Sequence, residues 1–152
     1  MKYYIEISDD TSESLSISLE DILRCFNHKD EYHWVLLWID GLITKKGIDT
    51  ILGYQSVVDF ETAVNKSKKG IKMPLDDIQT IDSSTDQILN LLLLSDKNIK
   101  NIKRFKQDEE MYDKCSSVIE LVDGAYWEIC TDNNEFVDNI FQNLKEAKIF
   151  FR

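Results

Sequence analysis

The chain has 152 residues, 43% hydrophobic and 11% aromatic, with one Pro and five Gly; this composition excludes a disordered or collagen-like polymer and predicts one globular domain over 1–152. The formal net charge of −10 repels nucleic-acid phosphates and anionic lipid head groups and attracts cationic surfaces. No apolar run approaches the roughly 18 to 20 residues of a membrane span, and MKYYIEISDD lacks the apolar core of a signal peptide, so a cytoplasmic protein with no membrane partner is expected.

The charge is uneven. Residues 66–106 hold nine Lys/Arg against five Asp/Glu, a local +4, while the remainder holds nine basic against 23 acidic groups, a local −14. Cys25, Cys115 and Cys130 are odd in number and carry no metal-ligand spacing, which predicts reduced thiols packed as small apolar groups.

In chain order, residues 2–7 (KYYIEI) alternate as a strand, and 8–13 (SDDTSE) form a polar loop. Ser18 and Asp21 match a capping box, after which Leu19, Ile22, Leu23 and Phe26 fall on one helical face, with the helix ending near Asn27. Residues 32–40 (YHWVLLWID) predict an interior strand. Strict alternation puts Trp34, Leu36 and Trp38 on one face and His33, Val35, Leu37 and Ile39 on the other. Asp40-Gly41 ends it in a turn, and 43–52 stays ambiguous.

A second helix is predicted over 56–69, capped by Ser56, with Lys66, Lys68 and Lys69 in its last turn and Gly70 as the stop. Met73-Pro74 marks a loop before a short strand near 78–81. Residues 84–94 (STDQILNLLLL) fit a helix capped by Ser84 or a buried strand. Residues 97–106 space Ile99, Ile102 and Phe105 at threes among basic residues, which predicts an amphipathic helix with a basic outer face. Residues 108–113 (DEEMYD) then reverse the sign.

Residues 116–145 form the clearest unit. Strands at 117–122 and 125–131 flank Asp123-Gly124, a two-residue hairpin signal that pairs Leu121 with Tyr126, Glu120 with Trp127 and Ile119 with Glu128. Thr131 or Asp132 caps a helix whose stripe is Phe136, Val137, Ile140, Phe141 and Leu144, and 148–151 (KIFF) return as a closing strand or a tail. The fold class that follows is α+β, with a mixed α/β arrangement as the alternative. It comprises a mainly antiparallel sheet containing 2–7, 32–40, 117–122 and 125–131, a C-terminal β-hairpin followed by an amphipathic helix, and three to five helices in all.

No residue constellation names a reaction. His28 and His33 flank an acidic pair near Cys25, but a thiol–imidazole pair needs hydrogen-bond reach that this spacing does not imply. Two His five apart do not share a helical face, there is no CxxC, and the acidic runs at Asp9-Asp10 and 108–110 lack the alternating spacing of a cation loop. The five Gly are too scattered for a phosphate loop. On the two-residue turn, Glu120 and Glu128 face opposite sides, which counts against a paired-acid catalyst. The expectation is a protein that is not an enzyme, with no cofactor and no bound metal.

The segments DILRCFN, VIELVDGAYWEIC and TDNNEFVDNIFQNLK resemble, over about half the chain, a family of short bacterial proteins of no assigned activity. In profile the chain is also similar to bacterial immunity proteins, which are small, acidic and cytosolic and neutralise secreted nuclease or tRNA-cleaving toxins. That similarity implies a toxin inhibitor whose partner is a basic protein. A nuclease is basic where it grips phosphate, so an acidic surface is steered onto it. Under this reading the contacts are Asp108, Glu109, Glu110, Asp113, Glu120, Glu128, Asp132 and Glu135, with Tyr112, Tyr126 and Trp127 as aromatic anchors. The alternative is a regulatory or housekeeping interaction module for which acidity serves only solubility. Oligomeric state is not set by any of these features.

Overall fold

The computed structural model describes residues 1–9 and 15–150. Its strands are β1 (Tyr3–Ser8), β2 (His33–Asp40), β3 (Ile43–Thr44), β4 (Ile71–Lys72), β5 (Thr85–Gln87), β6 (Asn90–Asp96), β7 (Ser117–Val122), β8 (Tyr126–Thr131) and β9 (Ala147–Phe150). Its helices are α1 (Leu19–Leu23), α2 (Val57–Lys66), α3 (Leu75–Ser84), α4 (Asp108–Lys114) and α5 (Asn134–Asn143). Seven strands form one sheet in the order β4-β2-β6-β7-β8-β1-β9, and β3 pairs with β5 in a separate ribbon. Every pairing is antiparallel, so the architecture is α+β.

Each face of the large sheet carries its own apolar core. The first holds Ile5, Ile7, Trp34, Leu36, Ile39, Leu91, Leu93, Ile119, Leu121, Trp127 and Ile129, covered by apolar residues of α1, α2, α3 and α5. The second holds Val35, Leu37, Leu94, Val118 and Cys130, covered by Met111 and Tyr112 of α4 and by Ile102.

Two helix starts follow their sequence signals, while α5 is capped by Asn133, whose side chain accepts from the Phe136 N–H, and not by Thr131 or Asp132. The Ser18 hydroxyl accepts from the Asp21 N–H and the Asp21 carboxylate accepts from the Ser18 N–H, completing the capping box. The helix ends at Leu23, earlier than expected, and Phe26 enters the core from the turns that follow. Ser56 caps α2 through the Asp59 N–H. That helix stops at Lys66, so Lys68 and Lys69 lie beyond its last turn.

Four expectations are corrected or decided between alternatives. Residues 75–84 form a helix, not a strand: Pro74 enters it with extended ψ, Asp76 and Asp77 sit in its positive first turn, and Ile78 and Ile81 bury one face. For 84–94 the buried-strand alternative holds over the helix, since residues 85–96 form two strands. The second, β6, lies between β2 and β7 and is buried on both sides, which explains its unbroken apolar run.

Residues 97–106 do not form the amphipathic helix. The Asp96 carboxylate accepts from the Asn98 N–H and the Asn98 side chain accepts from the Lys100 N–H, holding a single 3-10 turn over Ile99–Asn101. Arg104 then docks on the end of α2, donating from Nε to the Ser67 carbonyl at 2.6 Å and from Nη2 to the Val64 carbonyl at 2.8 Å. A guanidinium on the orphan carbonyls of a helix end neutralises the negative pole of its dipole. Arg104→Ala is expected to lower stability by about 2 kcal/mol in chemical denaturation, the scale of lost charged hydrogen bonds.

The fourth correction is to strand register. In β2 the pairing slips between Leu36 and Trp38, opposite Leu93 and Leu92, so Leu37 is an extra residue in a β-bulge. Ile39 therefore joins Trp34 and Leu36 in the first core, and Trp38 turns to the other face at 41% exposure. The Asn65 side chain of α2 bonds the Ile39 N–H and carbonyl just beyond the bulge. In the hairpin, Val122 pairs with Tyr126, so the loop is the three residues 123–125. Asp123 and Gly124 take positive φ of 54° and 65°, and the Ala125 N–H closes on the Val122 carbonyl. One added loop residue shifts the register by one, pairing Leu121 with Trp127, Glu120 with Glu128 and Ile119 with Ile129.

Residues 147–150 are the edge strand β9 against β1. Positions 10–13 of the expected polar loop, and Phe151, lie outside the described residues.

Candidate functional site

The corrected register places Glu120 and Glu128 directly opposite each other, on one face and not on two. Glu128 also pairs with Glu6 of β1, Glu6 with Lys148 of β9, Glu120 with Leu92 of β6, and Leu92 with Trp38 of β2. Six strands thus contribute one continuous row, Trp38–Leu92–Glu120–Glu128–Glu6–Lys148. It lies on the face of the second core, one side-chain layer beyond the rung Leu94–Val118–Cys130–Tyr4 that supports α4.

Three carboxylates stand at directly opposed positions on adjacent strands. Directly opposed side chains have Cβ atoms about 4.5–5.5 Å apart, and like charges at that spacing oppose folding. Lys148 sets a cation at one end of the row. All three Glu are half-buried, and Glu120 and Glu128 line a small cavity with Tyr4, Tyr112 and Phe150. Tyr126 senses the same field. Its hydroxyl is pushed above its ordinary value by desolvation first, then by Glu128, Glu6, Asp123 and Glu120.

The indole at the other end is held in place. Trp38 donates to the Asp40 carboxylate at 2.7 Å, Asp40 accepts from the Asn90 amide at 2.8 Å, and Asn90 accepts from the Asp123 N–H at 3.0 Å. This chain runs from β2 to the hairpin tip and fixes an exposed aromatic beside the acidic row.

The expected contact residues divide by location. Glu120 and Glu128 stand on the row, with Tyr126 on the next rung of the same face and Tyr112 beside them. Tyr112 is 6% exposed and packs in the second core, so it supports the row and cannot anchor a partner. Trp127 is buried in the first core with its indole N–H on the Ile17 carbonyl, which removes it as an anchor. Asp108, Glu109 and Glu110 are exposed in the first turn of α4, where they complement the helix dipole, and Asp113 is exposed in its second half. Asp132 lies past the end of β8, bonded by Ser116 and 3.8 Å from the Lys2 ammonium. Glu135 lies on α5, on the opposite side of the sheet, where it accepts from Asn27. Glu6 and Trp38 were not expected at the site; only the register of strands distant in sequence brings them there.

A groove of about 490 Å³ opens at the hairpin end of the first face, with Ile17, Ile88, Leu121 and Trp127 among its apolar lining and Asp82, Asp86 and Asp123 among its polar groups. Asp82 is raised above its ordinary value by desolvation first, opposed by the backbone N–H of Glu20 at 3.4 Å.

Nucleophilic chemistry finds no support in the thiols. Cys25 is 2% exposed, donates to the Asp21 carbonyl, and is held above its ordinary value by burial and by Asp21. Cys115 is fully buried, and desolvation followed by the charge of Asp96 pushes it up to about 12. An attacking thiol needs the opposite shift. Because the folded state holds the Cys115 proton more tightly than the unfolded chain, its contribution is complete below the ordinary value of 9.0 and is lost as pH rises through about 12. The expected result is a fall in urea midpoint between about pH 9 and 11 that is shallower in Cys115→Ala than in the parent.

Among the described residues, no three His, Cys, Asp or Glu side chains gather to hold a metal ion, and no helix is long and apolar enough to cross a membrane. A scan of protein-family models found no match to the chain, and comparisons with curated proteins and with solved structures likewise found none.

Proposed function

We propose that this is a non-enzymatic binding protein that takes a cationic protein onto the acidic row of its sheet, in the manner of a bacterial immunity protein that inhibits a nuclease-type toxin. The observation that carries the reading is the uninterrupted sequence Glu6–Glu128–Glu120 across three adjacent strands. Carboxylates gathered on one face make the potential there negative, which favours a cationic partner. A basic surface is the electrostatic complement of that face. It also accounts for the net charge of −10, since long-range attraction raises the rate of encounter. Trp38 at the end of the row supplies the rigid aromatic that such interfaces use as an anchor.

Co-purification from the native host with immobilised wild type and Glu128→Lys tests the reading. A basic protein retained by wild type at low salt, released as salt rises and not retained by Glu128→Lys supports it. Equal retention by both forms, or no basic protein among those retained, refutes it.

A further inference from the structure

We infer that the groove at the hairpin end of the first face is a binding site for a small organic cation, an amine or guanidine carried on an apolar body. The inference goes beyond the reading of the acidic row and uses none of its residues. The groove lies between the chain leading into α1, the junction of α3 with β5, and the β7–β8 hairpin. Its volume of about 490 Å³ falls within the range of pockets that enclose a small ligand, roughly 300–1,000 Å³. Ile17, Leu19, Leu121 and Trp127, all buried members of the first core, line it, and Ile88 and Leu89 add apolar surface.

The charge of the lining has one sign. Asp82 reaches the groove from α3, Asp86 from β5 and Asp123 from the hairpin loop, and among the described residues no Lys, Arg or His lines it. Among the same residues, neither the Asp86 nor the Asp123 carboxylate makes an ion pair or accepts a hydrogen bond. Asp82 is half-buried and accepts from the backbone N–H groups of Glu20 and Leu19, with no counter-charge beside it. A neutral apolar ligand would strip water from these carboxylates and return nothing, and an anion would be repelled. A cation on an apolar body is the complement of both parts of the lining.

The walls are held in place by bonds within the chain. The Trp127 indole donates to the Ile17 carbonyl at 2.9 Å, which fixes the ring and the segment beside it. Leu89 donates to the Asp40 carbonyl at 3.2 Å and accepts from the Gly124 N–H at 2.7 Å, and its side chain lies over Gly41, where a Cβ would collide with it. Reciprocal bonds between Ser18 and Asp21 set the start of α1 on the remaining side. A site whose walls are already ordered loses little freedom when a ligand enters, and this favours a small one.

Three compounds that share a phenyl ring test the proposal: phenethylamine, phenethyl alcohol and phenylpropionate, which are a cation, a neutral molecule and an anion at neutral pH. Each is titrated at low salt into the isotope-labelled full chain, and the indole N–H resonance of Trp127 reports occupancy of the groove by nuclear magnetic resonance. The amine is expected to bind at least about tenfold more tightly than the alcohol, and phenylpropionate to leave the resonance unmoved. The double variant Asp86→Asn, Asp123→Asn is expected to lose at least about fivefold of the affinity for the amine. The double variant Glu109→Gln, Glu110→Gln has the same net charge but alters α4 on the other face, and stays within about twofold of the parent. Asn tolerates the positive φ of position 123, and thermal unfolding confirms that both variants fold. Equal affinity for amine and alcohol, equal loss in the two double variants, or an unmoved Trp127 resonance at about 10 mM amine overturns the proposal. None of these results bears on retention of a basic protein by the acidic row, which lies on the opposite face of the sheet.

Discussion

Phe26→Ala is expected to lower unfolding stability by about 4 kcal/mol, near the top of the range for a buried aromatic. Phe26 is 1% exposed and meets the rings of Tyr32, Trp34 and Phe136 at centroid distances of 4.9, 5.0 and 4.7 Å, two of them edge-on. Truncation removes the transfer energy of the ring, leaves a cavity that three stiff neighbours cannot close, and forfeits their edge-to-face contacts. The residue ties the chain after α1 to β2 and α5, so its loss loosens three elements at once. Phe26→Leu, which keeps most of the volume, is expected to cost less than half as much. An unfolding free energy for Phe26→Ala within about 1 kcal/mol of the parent in urea denaturation would show that the neighbours do collapse into the space.

Phe26 also shows why some features were readable from the chain and others were not. Its burial followed from helical spacing with Leu19 and Ile22, although the helix itself ends sooner. Caps at Ser18 and Ser56 were readable because each is a local exchange between a side chain and an N–H three residues on. The hairpin was readable from Asp123-Gly124, but its register was not. Asp123 and Gly124 carry positive φ in this three-residue loop, as a two-residue type I′ turn also requires, and the loop length decides whether Glu120 and Glu128 share a face.

The bulge at Leu37 left no mark because the strand around it is apolar on both faces, so slipping by one residue still buries Leu or Ile. Residues 97–106 misled for another reason: apolar residues at threes suit a helix, yet Asp96 and Asn98 spend their oxygens on nearby backbone N–H groups and hold a single turn. The acidic row lies beyond local reading altogether. Glu6, Glu120 and Glu128 meet only because β8 inserts between β7 and β1.

That non-local origin permits a sharp test of whether charge acts through position or only through its sum. Replacing Glu6, Glu120 and Glu128 together by Gln takes the formal charge from −10 to −7. So does replacing Asp132 by Asn, Glu135 by Gln and Asp138 by Asn, all three of which are exposed and off the row. If acidity serves solubility or long-range attraction alone, the two variants behave alike. If the row is the binding surface, the first variant associates with its basic partner about 10- to 100-fold more slowly at low ionic strength, while the second stays within about threefold of the parent. The difference narrows as salt approaches about 0.5 M, where the Debye length falls to a few ångströms and only contacts at the surface survive. Thermal unfolding should find both variants folded, since none of the six carboxylates belongs to either apolar core. Equal loss in the two variants would assign the acidity to the whole molecule and leave the row without a role in recognition.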